Sequence, residues 1–75
     1  MSYTFRIILR PEPEGGYTVL VPALPGCVTF GETVEEAHKM GKEAIEAYVE
    51  SMKEHGEVIV DDTRTFDAQI QIAVA

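Results

Sequence analysis

The segment Val21–Ala37 constrains the fold of this 75-residue chain more than any other part of it. Pro22 has no N–H for a sheet ladder, so it ends the strand before it or places that strand at an edge. Pro25-Gly26 is a turn dipeptide, because proline sets φ and glycine adopts positive φ freely. Gly31 then ends a second short strand. The segment therefore predicts two strands in close succession, joined by a tight turn.

Thr33 and Glu36 mark the start of a long helix, because they have the spacing of a capping box. The helix is predicted from Val34 to about Glu54, and His55-Gly56 follows it as a stop signal. Its apolar residues recur at steps of three and four and form one stripe: Val34, Ala37, Gly41, Ala44, Ile45, Tyr48 and Met52. Gly41 costs a helix about 1 kcal/mol relative to alanine, so we expect the helix and the sheet to lie close together there.

Alternation of apolar and polar residues predicts four strands. They run over Ser2–Arg10, Tyr17–Val21, Cys27–Phe30 and Phe66–Val74, with a hairpin loop at Pro11–Gly16. The order β-β-β-α-β predicts an α+β fold of two layers, in which one helix packs on a four-stranded, mainly antiparallel sheet. The second face of that sheet carries Ile8 and Leu20 among polar residues. This face and the sheet edges are where another chain would dock.

The small size of the chain predicts one domain, residues 1–75, that associates with itself. A core of this size seldom contributes more than about 3–5 kcal/mol of net stability. Cys27 is the only cysteine, so no disulfide supports the fold. We therefore expect a homo-oligomer, a dimer or a tetramer. A free thiol, no signal peptide and no apolar run of about 18 residues predict a cytoplasmic protein without a membrane span.

The chain is acidic, with 13 Asp and Glu against 6 Lys and Arg and a net charge of −7. Such a surface repels phosphate backbones, so we expect no direct binding of nucleic acid. It attracts a basic protein partner, although acidity also serves solubility alone. The candidate partner contacts lie on the hairpin, the helix and the connector after it: Glu12, Glu14, Glu43, Glu46, Glu50, Asp61 and Asp62.

The polar residues predict no catalytic centre, no metal site and no cofactor. His38 and His55 lie about 25 Å apart on one helix, so they cannot share a metal or a proton. Cys27 has no histidine near it in sequence and is interpreted as a small buried residue, although a histidine from elsewhere in the fold would activate it. The acidic pairs lack the spacing of a calcium loop. We therefore expect a protein that is not an enzyme.

Four motifs give the chain a resemblance to a known family. They are Gly15-Gly16-Tyr17, Pro22-Ala23-Leu24-Pro25-Gly26-Cys27, Gly31-Glu32-Thr33 and Glu35-Glu36-Ala37. In this order they resemble the N-terminal domain of HicB-like antitoxins, and the similarity continues to the helix end at Gly56. The combination is more specific than any one motif.

The resemblance implies a degraded RNase H-like fold and a non-catalytic role. Strand one agrees, because its outward positions Thr4, Arg6 and Arg10 supply no carboxylate for a metal-dependent nuclease. Family members neutralise HicA-type toxins, which are small basic proteins that cleave mRNA. They also add a C-terminal DNA-binding domain, whereas this chain ends at Ala75. The alternative is a solitary, self-associating binding module with no cognate toxin.

Overall fold

The structure, a computed structural model, describes residues 2–75 and contains three strands and one helix in that range. The elements are β1 (Ile8–Pro11), β2 (Tyr17–Leu20), β3 (Val28–Gly31) and α1 (Val34–Glu54). The strands form an antiparallel sheet in the order β1-β2-β3, and α1 packs on β3 and β2. The α+β class is confirmed, and the sheet has three strands instead of the expected four.

The first three strands are shorter or shifted relative to their predicted ranges. β1 begins at Ile8 because its partner β2 ends at Leu20, directly opposite. Beyond Leu20 the chain turns, and the Val21 N–H donates to the carbonyl of Cys27 at 3.2 Å. Residues 2–7 continue the direction of β1 without a strand beside them on that side. The hydrogen bonds between paired strands therefore give shorter strands than the alternation of apolar and polar residues predicts.

The predicted fourth strand, Phe66–Val74, is not formed within residues 2–75. The segment has no ladder partner, and its residues are exposed. Alternation of apolar and polar residues shows that a segment could form a strand. A strand is formed only where a second strand lies beside it and shares its hydrogen bonds. The connector after α1 runs past residues 4–6, and the chain beyond it meets no strand.

The turn at Pro25-Gly26 forms as predicted. The Cys27 N–H donates to the carbonyl of Leu24 at 2.9 Å, and Gly26 has a φ of 81°. A proline followed by a glycine with positive φ is the type II arrangement. The hydroxyl of Tyr48 on α1 donates to the carbonyl of Pro25 at 2.7 Å. This bond attaches the turn to the helix.

The helix begins and ends at the predicted residues. Thr33 accepts the N–H of Glu36 on its side-chain oxygen at 3.0 Å, which confirms the cap. The Glu36 carboxylate accepts the N–H of Glu32 at 2.8 Å, one residue earlier than a capping box requires. At the other end Gly56 has a φ of 68°, and its N–H donates to the carbonyl of Lys53 at 3.2 Å. Both ends of α1 are therefore satisfied by local bonds.

The buried core lies between α1 and the β2–β3 side of the sheet. Its buried hydrophobic members are Val19, Val21, Leu24, Cys27 and Ala37. Phe5, Ile7 and the half-buried part of the helix stripe pack around it. Of the predicted stripe, Val34 departs from the pattern, because it is 49% exposed.

Two glycines set the distance between the helix and the sheet. A Cβ on Gly31 would overlap the backbone N and Cα of Ala37 in the first turn of α1. A Cβ on Gly41 would lie 3.2 Å from Val19 Cγ1 and 3.6 Å from Ile7 Cδ1. The close contact expected at Gly41 is confirmed, and Gly31 is a second and tighter one.

We expect Gly31→Ala to lower the free energy of unfolding by about 3 kcal/mol, because the new methyl group meets backbone atoms that cannot move aside. Gly41→Ala is the matched control. Its methyl group meets a side chain, and it gains about 1 kcal/mol of helix propensity. Urea denaturation of the two variants checks the difference, and equal losses would contradict the close approach at Gly31.

Candidate functional site

A groove remains uncovered on the β1 side of the molecule, because α1 lies over β2 and β3. Its volume is about 1040 Å³. Its apolar wall consists of Tyr3, Phe5 and Ile7 from the first strand together with Ile45 and Val49 from α1. Its polar rim consists of His38, Lys42, Glu46, Glu50, Lys53 and Glu54. We call this the β1 groove.

The solvent side of α1 carries a row of carboxylates. Glu43, Glu46, Glu50 and Glu54 follow one another at steps of three and four residues, so they share one face. All four are exposed, and none forms an ion pair within 4 Å with another described residue. We call this row the acidic stripe. With this charge α1 is not apolar enough to cross a membrane, and residues 2–75 contain no helix that is.

The second face of the sheet is also uncovered. Ile8, Leu20 and Val28 lie directly opposite one another across the three strands, and Phe30 lies beside them, opposite Thr18. Ile8, Val28 and Phe30 are about half exposed. The sequence indicated Ile8 and Leu20 on this face. Val28 and Phe30 were missed, although their alternation around Thr29 is the signal that would have found them.

Of the seven predicted partner contacts, three are held within the fold. Glu12 accepts the Thr18 hydroxyl at 2.6 Å and the Arg10 Nε at 3.3 Å, and these two bonds lower the pKa of its carboxyl. Asp61 and Asp62 bond to the backbone of residues 4–6. Glu14 is exposed on the hairpin, and Glu43, Glu46 and Glu50 belong to the acidic stripe. A partner contact remains a prediction at all seven residues, and these four carboxylates have no competing bond within the fold.

Asp61 and Asp62 attach the connector to the β2-facing edge of the first strand, along the stretch that lies beyond the end of β2. The Asp62 N–H donates to the Thr4 carbonyl at 2.7 Å, and the Asp62 carboxylate accepts the Arg6 N–H at 2.9 Å. The Asp61 carboxylate accepts the Thr4 N–H at 2.8 Å. These bonds replace the ladder that a neighbouring strand would make. Asp62 is buried, and its role is to support this edge.

The remaining polar residues do not assemble a reactive centre. Cys27 is buried, and burial raises the pKa of its thiol, so the thiolate is disfavoured. His55 Nδ1 lies 2.7 Å from the carbonyl of Ser51 on its own helix, and His38 lies on the groove rim. Among residues 2–75, no three His, Cys, Asp or Glu side chains lie close enough to hold a metal ion.

Comparison with known proteins identifies the family. The model of the HicB-like antitoxins of bacterial toxin–antitoxin systems matches residues 5–72, so the chain belongs to this family. It is 52% identical over 62 residues to a UPF0150 protein of Thermoplasma acidophilum, covering 83% of this chain and 87% of that protein. It is 43% identical over 61 residues to a UPF0150 protein of Synechocystis, covering 80% and 77%.

A relative named for its function also matches. The chain is 44% identical over 41 residues to antitoxin HicB of Escherichia coli strain K12. The match covers 55% of this chain and 30% of that antitoxin. The similarity therefore concerns one part of the longer protein.

We expect Asp62→Ala to lower the free energy of unfolding by about 1–3 kcal/mol, because the Arg6 N–H then has no acceptor at a half-buried position. Asp67→Ala is the control, since Asp67 pairs with Arg6 at 3.1 Å through a side chain that is 80% exposed. Its loss should cost at most about 1 kcal/mol. Chemical denaturation measures both, and equal effects would contradict the role of Asp62 at the edge.

Acid should weaken the bonds of Asp61. The Thr4 N–H, and then the Thr63 hydroxyl at 2.7 Å, hold the pKa of Asp61 below its ordinary value of 3.8. Because the folded state lowers this pKa, the stabilisation is complete well above pH 3.8 and disappears as pH falls through the folded-state pKa.

Asp61→Asn should therefore be less stable than the natural chain at pH 7, with a gap in Tm that narrows as the pH is lowered. Thr63→Val removes one donor and should narrow the gap only in part. Thermal melts across the acidic range measure this. If the difference in Tm between the two chains did not change with pH, the charge of Asp61 would make no contribution to stability.

Proposed function

We propose that this chain is a non-catalytic antitoxin that binds and masks a small basic HicA-type toxin, a protein that cleaves mRNA. The observation that carries the proposal is the family match over residues 5–72. The antitoxin HicB of Escherichia coli bears the function in its name. Because the proposed toxin acts on mRNA, we also propose the cytoplasm as the location of both proteins.

The acidic stripe is the proposed contact surface. A protein that holds RNA presents basic side chains, and an opposing row of carboxylates both attracts and orients it. Glu43 and Glu50 are exposed and have no ion-pair partner within residues 2–75, so their charge is available to a partner. The second face of the sheet is less suitable, because Arg10 accompanies its apolar side chains.

A non-catalytic role agrees with the state of Cys27. A nucleophilic cysteine requires a lowered pKa and access to substrate. Cys27 is buried and its pKa is raised. The domain would then act by covering the reactive surface of its partner.

The test is RNA cleavage by a HicA-type toxin of the same host, with and without this chain. The toxin should lose its activity as the chain is added, and the two proteins should copurify. If no such toxin is inhibited, the antitoxin proposal fails. The second candidate, a self-associating module without a cognate toxin, would then remain, and the exposed 66–74 segment favours it.

The contact surface is tested by the double variant Glu43→Lys and Glu50→Lys. We expect its association with the toxin to slow by about tenfold at low salt and to depend less on salt. The control is Glu32→Lys with Glu57→Lys at two exposed loop positions, which makes the same change in net charge, from −7 to −3, since each replacement adds two charges. Stopped-flow or biosensor kinetics measure the rates, and equal slowing by both variants would reject the stripe.

A further inference from the structure

Residues 66–74, called here the extended segment, are apolar at every second position yet lie outside the core. Phe66 is 83% exposed, Ile70 is 88%, Ile72 is 76% and Val74 is 86%. The positions between them are polar or small, namely Asp67, Gln69, Gln71 and Ala73. A segment with this alternation buries one face when it pairs with a sheet. Here that face is largely exposed to solvent.

The shape of the whole chain reflects this exposure. Its radius of gyration is 14.4 Å and its longest dimension is 50 Å, whereas a compact domain of 75 residues has a radius of gyration of about 11 Å. Its accessible surface is 6086 Å², whereas a compact protein of 8.3 kDa exposes about 4600 Å². The chain therefore shows about 1500 Å² more surface than a folded monomer of its size.

The start of the extended segment is attached to the first strand. Arg6 Nε donates to the carbonyl of Thr65 at 2.7 Å, and the Arg6 guanidinium pairs with Asp67 at 3.1 Å. These bonds, together with those of Asp62, hold the chain beside residues 4–6, on the side of the first strand that β2 occupies farther along. No residue of the extended segment lines the β1 groove of its own chain.

The edge of β1 is available for one more strand. The backbone groups of Ile8 and Arg10 face β2, because the N–H of Glu12 donates to the Gly16 carbonyl and the register places Arg10 opposite Thr18 and Ile8 opposite Leu20. Alternation along the strand therefore points the backbone groups of Ile7 and Leu9 away from β2. β1 pairs only with β2, on the opposite side, so within residues 2–75 these outward groups of Ile7 and Leu9 have no partner. An open edge of this kind is a template for strand addition.

We propose that the extended segment of one chain binds in the β1 groove of a second copy and extends that copy's sheet beside β1, with the exchange made in both directions. The apolar face of the segment would cover the groove wall formed by Tyr3, Phe5, Ile7, Ile45 and Val49. Each groove is incomplete until the other chain supplies this strand.

The dimensions and the charge fit this occupant. Nine extended residues span about 30 Å, and the 21 residues of α1 along the groove span about 32 Å. Two chains that each bury their excess surface hide about 3000 Å² in total, within the range of obligate dimers. The segment has one charged residue, Asp67, so it approaches an acidic copy of itself with little repulsion.

A second copy satisfies both requirements at once. The groove lacks a strand and the extended segment lacks a sheet, and a two-fold exchange supplies each to the other in a closed assembly. The proposal does not require a toxin, so it stands or fails independently of the antitoxin function.

The first test compares two double variants by sedimentation equilibrium. The natural chain should be a dimer of 16.6 kDa, twice the 8.3 kDa of one chain. Ile70→Asp with Ile72→Asp places charge on the apolar face and should raise the dissociation constant at least about 100-fold. Gln69→Asp with Gln71→Asp adds the same charge to the opposite face and should remain dimeric. A monomeric natural chain, or equal behaviour of the two variants, overturns the proposal.

The second test identifies which surfaces meet and does not depend on the folding of the aspartate variants. In a Cys27→Ala background, chains with Val49→Cys are mixed with chains carrying Ile70→Cys, and a short bismaleimide is added. Cross-linking between the two kinds of chain is expected. A chain that carries both Val49→Cys and Ile70→Cys is treated in the same way. If it is linked within one chain, the segment occupies its own groove. If Ile70→Cys chains link mainly to each other, the segments pair together. Either result overturns the proposal.

Discussion

The close approach of the helix to the sheet at Gly31 and Gly41 is the constraint on which the rest of the structure depends. At both positions a side chain would occupy the space that α1 or Val19 fills. The helix consequently lies over β2 and β3, where Val19 and Ala37 are completely buried between the layers. It cannot also cover β1, because one helix is narrower than three strands. The β1 groove is the direct result of this off-centre packing, and the small core has the same origin.

The acidic residues divide into two groups with different physical roles. Glu12, Asp61 and Asp62 accept hydrogen bonds from the chain itself, and they stabilise the hairpin loop and the edge of the first strand. In this group a carboxylate acts as an acceptor in place of a missing strand or turn bond. The acidic stripe consists of carboxylates with no such partner. Fewer carboxylates are therefore available to another protein than the net charge of −7 suggests.

The sequence predicted the local features of the fold well and the candidate site only in part. The helix limits, the cap at Thr33 and the turn at Pro25-Gly26 depend on neighbours a few residues apart, and all of them form as expected. The helical position of the stripe carboxylates follows from the same local pattern. The burial of Asp62 and the position of Val49 in the groove wall depend on contacts between segments that are distant in sequence. The periodicity of apolar residues in the sequence contains no information on such contacts.

By itself the sequence determined the family, the order of the elements, the helix and the turns, because each is encoded in the backbone preferences of short segments. Only the tertiary structure decided that the sheet has three strands, that three of the acids belong to the fold, and that residues 66–74 lie exposed. The physical reason is that a strand is a relation between two segments. The alternation from Phe66 to Val74 specifies a face that can be buried, while the presence or absence of a neighbour decides whether that face is covered.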